Sequence, residues 1–271
     1  MLLKYRASQP GDEMALKELW KTVFGDEESY IDGFFENMYD RAFVCEDDGR
    51  IVSAVHLLDI GEYVRDGKAE PATVLYAFAT LPEYRGKGIG GKLSDMLIEE
   101  SAETFRTVCP AEESLFAYYE KRYGYGSRFE VFEEKLENFS KTDEKVAAEP
   151  VSAQEYGKLR EEFLSDVPHI RFNERALNYQ RFLCKSSGGD MLSFEFDGKK
   201  GIAAFEVYGG CAVFKEVLYS GECKKALSKI AEGAGAHSAV IRKPADGGKF
   251  DRDFAMAMGE AEGGYYGFAF D

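Results

Sequence analysis

The chain has 271 residues, of which 45% are apolar and 31% charged, a composition typical of globular proteins with one or two domains. Its 34 basic and 49 acidic residues give a formal net charge of −15, which repels nucleic acid and anionic membranes and favours a cationic small molecule or peptide as partner. No apolar run approaches the roughly 18 residues of a membrane helix, and charge interrupts the start too early for a signal peptide, so we expect a cytoplasmic protein.

The five cysteines form no CxxC pair, and the sequence contains only three histidines. An odd number of cysteines argues against a disulfide framework, and no His/Cys spacing is typical of a metal centre. We therefore expect neither a structural metal nor a disulfide-stabilised fold.

The first elements predicted along the chain are a strand at residues 2–6 and two helices. Asp12 is placed to cap a helix over residues 12–24, and a second helix is expected over residues 28–39. Strands follow at residues 42–46, 51–64 and 72–80, separated by Asp-Asp-Gly and Arg-Asp-Gly turns that are strong hairpin signals. This part of the sequence predicts an antiparallel meander.

A glycine-rich loop follows the meander at residues 85–91, Arg-Gly-Lys-Gly-Ile-Gly-Gly. Helical periodicity resumes over residues 92–104, before a short buried strand at residues 107–109. A helix over residues 112–122 and an alternating strand at residues 129–136 close this half of the chain. The loop therefore joins a strand to a helix.

Residues 141–150 are polar, charged and end in proline, which is typical of a linker between domains. Beyond it we predict helices at residues 152–164 and 174–184, strands at 190–196, 201–208 and 211–219, a helix at 224–232 and a strand at 238–242. This order echoes residues 2–110 and suggests a degenerate second copy, although no fixed-period identity supports it. Ser220-Gly221-Glu222 stands where the glycine loop would be, and the aromatic run at residues 264–271 is expected to pack as a strand.

The glycine loop has the composition of a phosphate site, because glycines let several backbone N–H groups at a helix N-terminus approach an anion. A P-loop fits from Gly86 to Lys92, but Leu93 replaces the hydroxyl that would hold magnesium. A dinucleotide fingerprint fits at Gly86, Gly88 and Gly91, but it would open a parallel sheet rather than follow a meander. The third pattern, Arg-x-x-Gly-x-Gly, is met by residues 85, 88 and 90. A loop that only turns the chain also stays open.

The third pattern resembles motif A of the GCN5-related N-acetyltransferase (GNAT) family, since the loop follows a strand and Pro82. About 35 residues further on, Tyr119-Glu120-Lys121 and the later Gly124-Tyr125 resemble motif B of the same family. The resemblance covers residues 1–136 and implies an α+β fold with a mixed sheet, the GNAT acyl-CoA N-acyltransferase fold. We expect a GNAT domain at residues 1–140 with the acetyl-CoA site and a second GNAT-like domain at residues 150–271 without cofactor.

The resemblance also implies roles for individual residues. The end of the strand would offer backbone groups to the pantetheine arm, and the loop would take the pyrophosphate. Tyr119 stands where the family places its general acid, with Tyr118 as a reserve, whereas no motif identifies the general base. His56 is expected to be a satisfied core residue, and Asp271 is an outside candidate for the base because related two-domain enzymes place a terminal carboxylate in the active site. The expected cofactor-binding residues are Phe78, Ala79, Thr80, Arg85, Gly86, Lys87, Gly88, Ile89, Gly90 and Gly91.

The function implied by the resemblance is an acetyl-CoA-dependent N-acetyltransferase that moves an acetyl group directly to a primary amine of a small molecule or peptide. No cysteine is paired with a histidine in a way that indicates a covalent intermediate. Two alternatives stay open: a non-catalytic acyl-CoA-binding or regulatory module, and a second domain that serves as an interaction or homo-oligomer surface.

Overall fold

A computed structural model describes residues 3–139 and 144–271, which form two compact units. The first unit takes in the chain up to Tyr63, then Ala69–Ser127 and Met256–Glu260. The second takes in Val64–Lys68, Arg128–Ala255 and Ala261–Asp271. Each unit has its own apolar core. In the described ranges, no helix has both the length and the apolar content needed to span a membrane.

The first unit is a mixed sheet with four helices. Its strands lie in the order β1-β2-β3-β4-β5, and residues 256–258 pair with β5. The β1/β2 and β2/β3 pairs are antiparallel, whereas β4 and β5 are parallel. The elements are β1 (Leu3–Ala7), α1 (Glu13–Phe24), α2 (Glu28–Asn37), β2 (Arg41–Asp47), β3 (Arg50–Arg65), β4 (Lys68–Thr80), α3 (Ile89–Glu100), β5 (Phe105–Val108) and α4 (Glu113–Tyr123).

The second unit repeats this plan. Its strands lie in the order β7-β9-β10-β11-β12-β6, with antiparallel β7/β9 and β9/β10 pairs and a parallel β11/β12 pair. Its elements begin with β6 (Ser127–Leu136), β7 (Ala147–Pro150), α5 (Ala153–Phe163), β8 (His169–Phe172), α6 (Glu174–Ser186) and β9 (Asp190–Phe196). They continue with β10 (Lys199–Tyr208), β11 (Cys211–Tyr219), α7 (Lys224–Gly233), β12 (Ser238–Pro244) and β13 (Asp251–Met258).

The two units therefore share element order, strand order and strand direction. In each, two helices separate the first two sheet strands, and one helix connects the two strands of the parallel pair. The parallel pair has four residue pairs in both units. The α+β class and the second GNAT-like copy predicted from the sequence are confirmed at the level of topology.

Several local predictions were wrong. The predicted linker contains β7, which pairs with β9, while its residues 141–143 lie outside the described residues, as does residue 2 of the first predicted strand. Strands β8 and β13 were not predicted. The aromatic run at residues 264–271 forms no strand. Backbone hydrogen bonds join Tyr265 to Pro168 and Ile170, and packing of its aromatic side chains buries the rest of the run.

The start of α1 also differs from the expectation. Asp12 precedes the helix, but its carboxylate makes no capping bond to it. One oxygen accepts from Arg6 Nη1 at 2.6 Å and from the backbone N–H of Gln9 at 2.7 Å. The carboxylate points back toward the guanidinium because a charged donor gives a stronger hydrogen bond than a backbone amide.

Candidate functional site

Strands β4 and β5 lie side by side over a short distance in the first unit. Their pairing runs from Ala72 opposite Phe105 to Leu75 opposite Val108, where β5 ends. Strand β4 continues to Thr80, and Ala77 has a φ of 45°, in the left-handed region that distorts an extended strand. The backbone at residues 78–80 therefore extends beyond the end of its parallel neighbour.

Two of the three carbonyl groups expected to face the pantetheine arm already accept hydrogen bonds from the protein. The hydroxyl of Ser53 donates to Ala79 O at 2.8 Å, and Arg85 Nε donates to Thr80 O at 3.1 Å. A carbonyl oxygen has two lone pairs, so these bonds position the strand end without exhausting its acceptors. Arg85 thus ties the start of the loop to the end of the strand.

The glycine loop ends in the N-terminus of α3. Gly86 and Gly88 have φ values of 72° and 75°, a region in which residues with side chains are strained. The helix begins at Ile89 rather than at residue 92, so Gly90 and Gly91 belong to its first turn. The N–H groups of a first turn have no partner inside the helix and carry its positive end, which suits an anion.

Side chains of other elements lie against both helical glycines. A Cβ at Gly90 would be 3.0 Å from the ring of Phe78, and a Cβ at Gly91 would be 2.8 Å from Arg122 Nη2. The structure thus brings together the loop and two of its expected partners in the strand, Phe78 by contact and Thr80 through Arg85. It also adds Arg122, which sequence reasoning placed in motif B without assigning it a role.

Besides Arg85, three cations lie at this helix terminus, and they differ in how firmly they are held. Lys87 Nζ lies 4.8 Å above the ring of Tyr84, and Lys92 Nζ lies 4.1 Å above the ring of Tyr5. Arg122 is half exposed, and its Nη2 is 3.9 Å from a carboxylate oxygen of Asp95, which is too long for a strong ion pair. The loop therefore sits in a positive local field within an acidic protein.

Tyr119 projects from α4 into the core of the first unit and is only 7% exposed. Its ring contacts among the described residues are with Tyr118, Tyr123 and Tyr125. Burial, with a smaller effect of these tyrosines, raises the pKa of Tyr119 above its ordinary value, so the hydroxyl keeps its proton at neutral pH. Such a group can donate a proton but cannot act as a base. Tyr118 is the more exposed residue, and its hydroxyl lies 3.1 Å from that of Tyr123.

His56 is a core residue, as expected. It is 2% exposed, and neither ring nitrogen meets strict hydrogen-bond geometry, although the nearby backbone of Tyr76 and Ala77 offsets part of the effect of burial on its pKa. Its ring is surrounded by aromatic side chains, and burial lowers its pKa to about 4. Because the ring is enclosed, an acceptor amine cannot reach it. The neighbouring rings are those of Trp20, Phe34, Phe35 and Tyr39.

Comparison with known proteins identifies the first unit. Residues 4–128 match the protein family described as "Acetyltransferase (GNAT) domain". These residues are therefore similar to the GNAT family. The match contains the whole glycine loop and motif B, so both patterns lie inside the matched region. No protein of curated function matches the sequence.

Solved structures show that the likeness in fold extends over both units. A conserved protein of unknown function from Enterococcus faecalis is 14% identical, with a TM-score of 0.66 over 95% of this chain and 72% of that one. A GCN5-related N-acetyltransferase from Kribbella flavida is 14% identical, with a TM-score of 0.63 over 94% and 70%. A tandem GNAT protein from the clavulanic acid biosynthesis pathway is 13% identical, with a TM-score of 0.56 over 96% and 100%. At such identities the likeness concerns the fold alone.

Proposed function

We propose that this chain is an acetyl-CoA-dependent N-acetyltransferase that transfers the acetyl group directly to a primary amine of a small molecule or peptide. The observation that supports the proposal is that β4 continues beyond the end of its pairing with β5 and leads into a glycine loop at the N-terminus of α3. An extended arm can add to the edge of β4 as another strand would, while its phosphates meet the helix terminus.

The donor site that we propose lies in the domain at residues 1–140. Residues 78–80 would hold the pantetheine arm through backbone groups, and Gly86, Lys87, Gly88, Ile89, Gly90 and Gly91 would surround the pyrophosphate. Arg85 positions the loop through its bond to Thr80 O. Acetyl-CoA supplies the activated acyl group. The protein orients that group toward the acceptor and provides the electrostatic environment for the transfer.

Tyr119 is the proposed general acid. In direct transfer the amine nitrogen forms a bond to the thioester carbonyl carbon, the carbon–sulfur bond breaks, and the departing thiolate takes a proton. The raised pKa of Tyr119 keeps its hydroxyl protonated throughout the neutral range but also makes it a weaker acid, so the proton transfer relies on the basicity of the departing thiolate. No residue is assigned as the base, and His56 is ruled out by its enclosure.

The acceptor that we propose is a cationic amine, because the protein carries a formal net charge of −15. A negative surface raises the local concentration of cations and speeds their encounter with the protein. We place the reaction in the cytoplasm, since all five cysteines are free thiols and reducing compartments keep them so.

The test is calorimetric titration with acetyl-CoA of the wild type and two variants, Gly88→Asp and Gly88→Asn. Both replacements face the same left-handed backbone and occupy the same volume, but only aspartate places a negative charge beside the first N–H groups of α3. We expect Gly88→Asp to bind at least ten times more weakly than Gly88→Asn. Absence of binding by a folded wild type would refute the donor site.

A second measurement separates catalysis from mere binding. Replacement Tyr119→Phe keeps the ring in the core and removes the acidic hydroxyl, so we expect acetyl-CoA to bind as before while kcat for a screened amine falls roughly 100-fold. Tyr118→Phe, on the exposed side of α4, tests the reserve acid in the same assay, and we expect it to change kcat much less. An enzyme that is indifferent to Tyr119→Phe has its acid elsewhere, and a protein that binds acetyl-CoA but acetylates no amine would be the non-catalytic module.

A further inference from the structure

The parallel strands of the second unit part at the same point as those of the first. Strands β11 and β12 pair from Cys211 opposite Ser238 to Phe214 opposite Ile241, after which β11 continues to Tyr219. Lys215 therefore stands on β11 where Tyr76 stands on β4, one residue beyond the last pair. Arg242 holds the corresponding place on β12. In the first unit this region adjoins the proposed donor site.

Residues 265–271 fill this region in the second unit. Four aromatic side chains of the segment are at most 2% exposed, although the segment is not a strand. The ring of Phe270 lies 5.8 Å from that of Tyr179 on α6, and the ring of Phe268 lies 6.1 Å from that of Tyr156 on α5. The buried aromatic residues are Tyr265, Tyr266, Phe268 and Phe270.

Side chains of the second unit also contact the backbone of residues 265–271. Arg160, 1% exposed, donates through Nη2 to Tyr266 O at 3.2 Å while its Nε pairs with Glu216 on β11 at 3.0 Å. A Cβ at Gly267 would be 2.7 Å from Arg160 Nη2 and 2.9 Å from Glu216 Oε1. Only glycine therefore allows the segment to lie this close to the buried ion pair.

The carboxylate of Asp271, the last residue of the segment, lies between two basic side chains of the second unit. Its Oδ1 is 3.3 Å from Lys215 Nζ and its Oδ2 is 3.4 Å from Arg242 Nη1, so it bridges the two residues that follow the last strand pair. Lys215 is held in place from the other side by Glu206, whose carboxylate is fully buried and 3.5 Å away. Burial would raise the pKa of Asp271, but the charges of Lys215 and Arg242 outweigh it and lower that pKa.

We propose that the second unit is a peptide-binding cleft whose ligand is the chain's own residues 265–271. The cleft selects aromatic side chains along α5 and α6, a glycine over the Arg160–Glu216 pair, and a carboxylate between Lys215 and Arg242. The second copy of the fold thus uses the place where its strands part to bind a peptide in cis. This inference does not depend on acetyl-CoA binding by the first unit.

The test removes residues 265–271 from the chain and supplies them as a separate peptide. A chain that ends at Gly264 is titrated with a fluorescein-labelled, C-terminally amidated peptide of residues 265–271, and binding is followed by fluorescence anisotropy. We expect saturable binding to the shortened chain, none to the full chain, and at least ten-fold weaker binding of a peptide with Asp271→Ala. Equal binding to both chains, or no binding to a shortened chain that still unfolds cooperatively, would overturn the proposal.

Amide hydrogen exchange on the full chain covers the case in which the shortened chain fails to fold. We expect slow exchange over residues 265–271 in the wild type and at least ten-fold faster exchange there in Asp271→Asn. The control Asp253→Asn also removes a half-exposed carboxylate paired with an arginine, but that carboxylate binds Arg128 rather than Lys215 or Arg242, so the change should leave exchange over residues 265–271 unchanged. Exchange in the wild type as fast as in the free peptide would refute binding in cis.

Discussion

The imidazole of His56 couples the stability of the first unit to pH. Burial lowers its pKa from 6.5 to about 4, so the folded protein resists a proton that the unfolded chain accepts. Stability is therefore complete above pH 6.5 and is lost as the pH falls toward 4. The shift corresponds to a loss of about 3 kcal/mol at most. We expect His56→Leu, which fills the same apolar space without a titrating group, to remove this part of the pH dependence.

The measurement is urea unfolding of both proteins between pH 7.5 and 4.5, followed by the fluorescence of Trp20. This is the single tryptophan of the chain, and its ring lies 5.6 Å from that of His56, so it reports on the first unit. The difference between wild type and variant isolates His56 from the carboxylates that titrate in both. Parallel stability curves would contradict the prediction, because they would show that the pKa of His56 is the same in the folded and the unfolded protein.

Arg122 is the site residue that only the structure reveals, because residues 91 and 122 belong to different motifs and meet through packing. Its guanidinium lies against the first turn of α3, and its ion pair with Asp95 is long and exposed. We expect Arg122→Ala to weaken acetyl-CoA binding about ten-fold and to reduce its salt dependence, as loss of one phosphate-facing cation should. Lys121→Ala, which removes the neighbouring exposed cation, is the control; equal losses in both variants would indicate only a general effect of charge.

At the scale of elements, the first turn of α3 contains two glycines, although glycine is a poor helix former, and side chains from other elements lie against both. Gly90 and Gly91 each cost the helix up to about 1 kcal/mol relative to alanine. At Gly91 a new Cβ would meet only the movable end of Arg122, whereas at Gly90 it would press on the ring of Phe78. We expect Gly91→Ala to stabilise the first unit in urea unfolding and Gly90→Ala to stabilise it less or to destabilise it. The reverse order would mean that Phe78 moves more easily than Arg122.

Elements with strong local signals were predicted well from the sequence. The bounds of β9 and β11 match the predicted ranges, and β2, β3 and β4 agree within four residues at each end, because hairpin turns and β-branched residues mark them. The strands that were missed have partners far away in sequence: Met256 on β13 pairs with Val108, for example. The segment at residues 265–271 was mispredicted for a related reason, since side chains of several distant helices and strands bury its aromatic residues without strand pairing.

At the scale of the whole molecule, two copies of one topology have diverged at the same place. The first copy keeps a glycine loop between the parallel strands, and its helix begins with N–H groups that no side chain caps. In the second copy, Glu222 Oε1 accepts a hydrogen bond from the backbone N–H of Lys224 at 2.9 Å, so a carboxylate takes a position at the start of α7. An anion is therefore favoured at the first helix terminus and repelled at the second.

This divergence predicts that one acetyl-CoA binds per chain. The second copy has lost the loop, has a carboxylate at its helix terminus, and holds residues 265–271 where its strands part, so each of the three features opposes a second donor. Calorimetry or native mass spectrometry should give a stoichiometry of one, and Gly88→Asp in the first copy should abolish all of the binding rather than half of it. Two equivalents in the wild type, or one equivalent surviving in Gly88→Asp, would show that the second copy still binds a donor. In that case the peptide segment would have to leave its cleft before the donor enters, and the two ligands would compete.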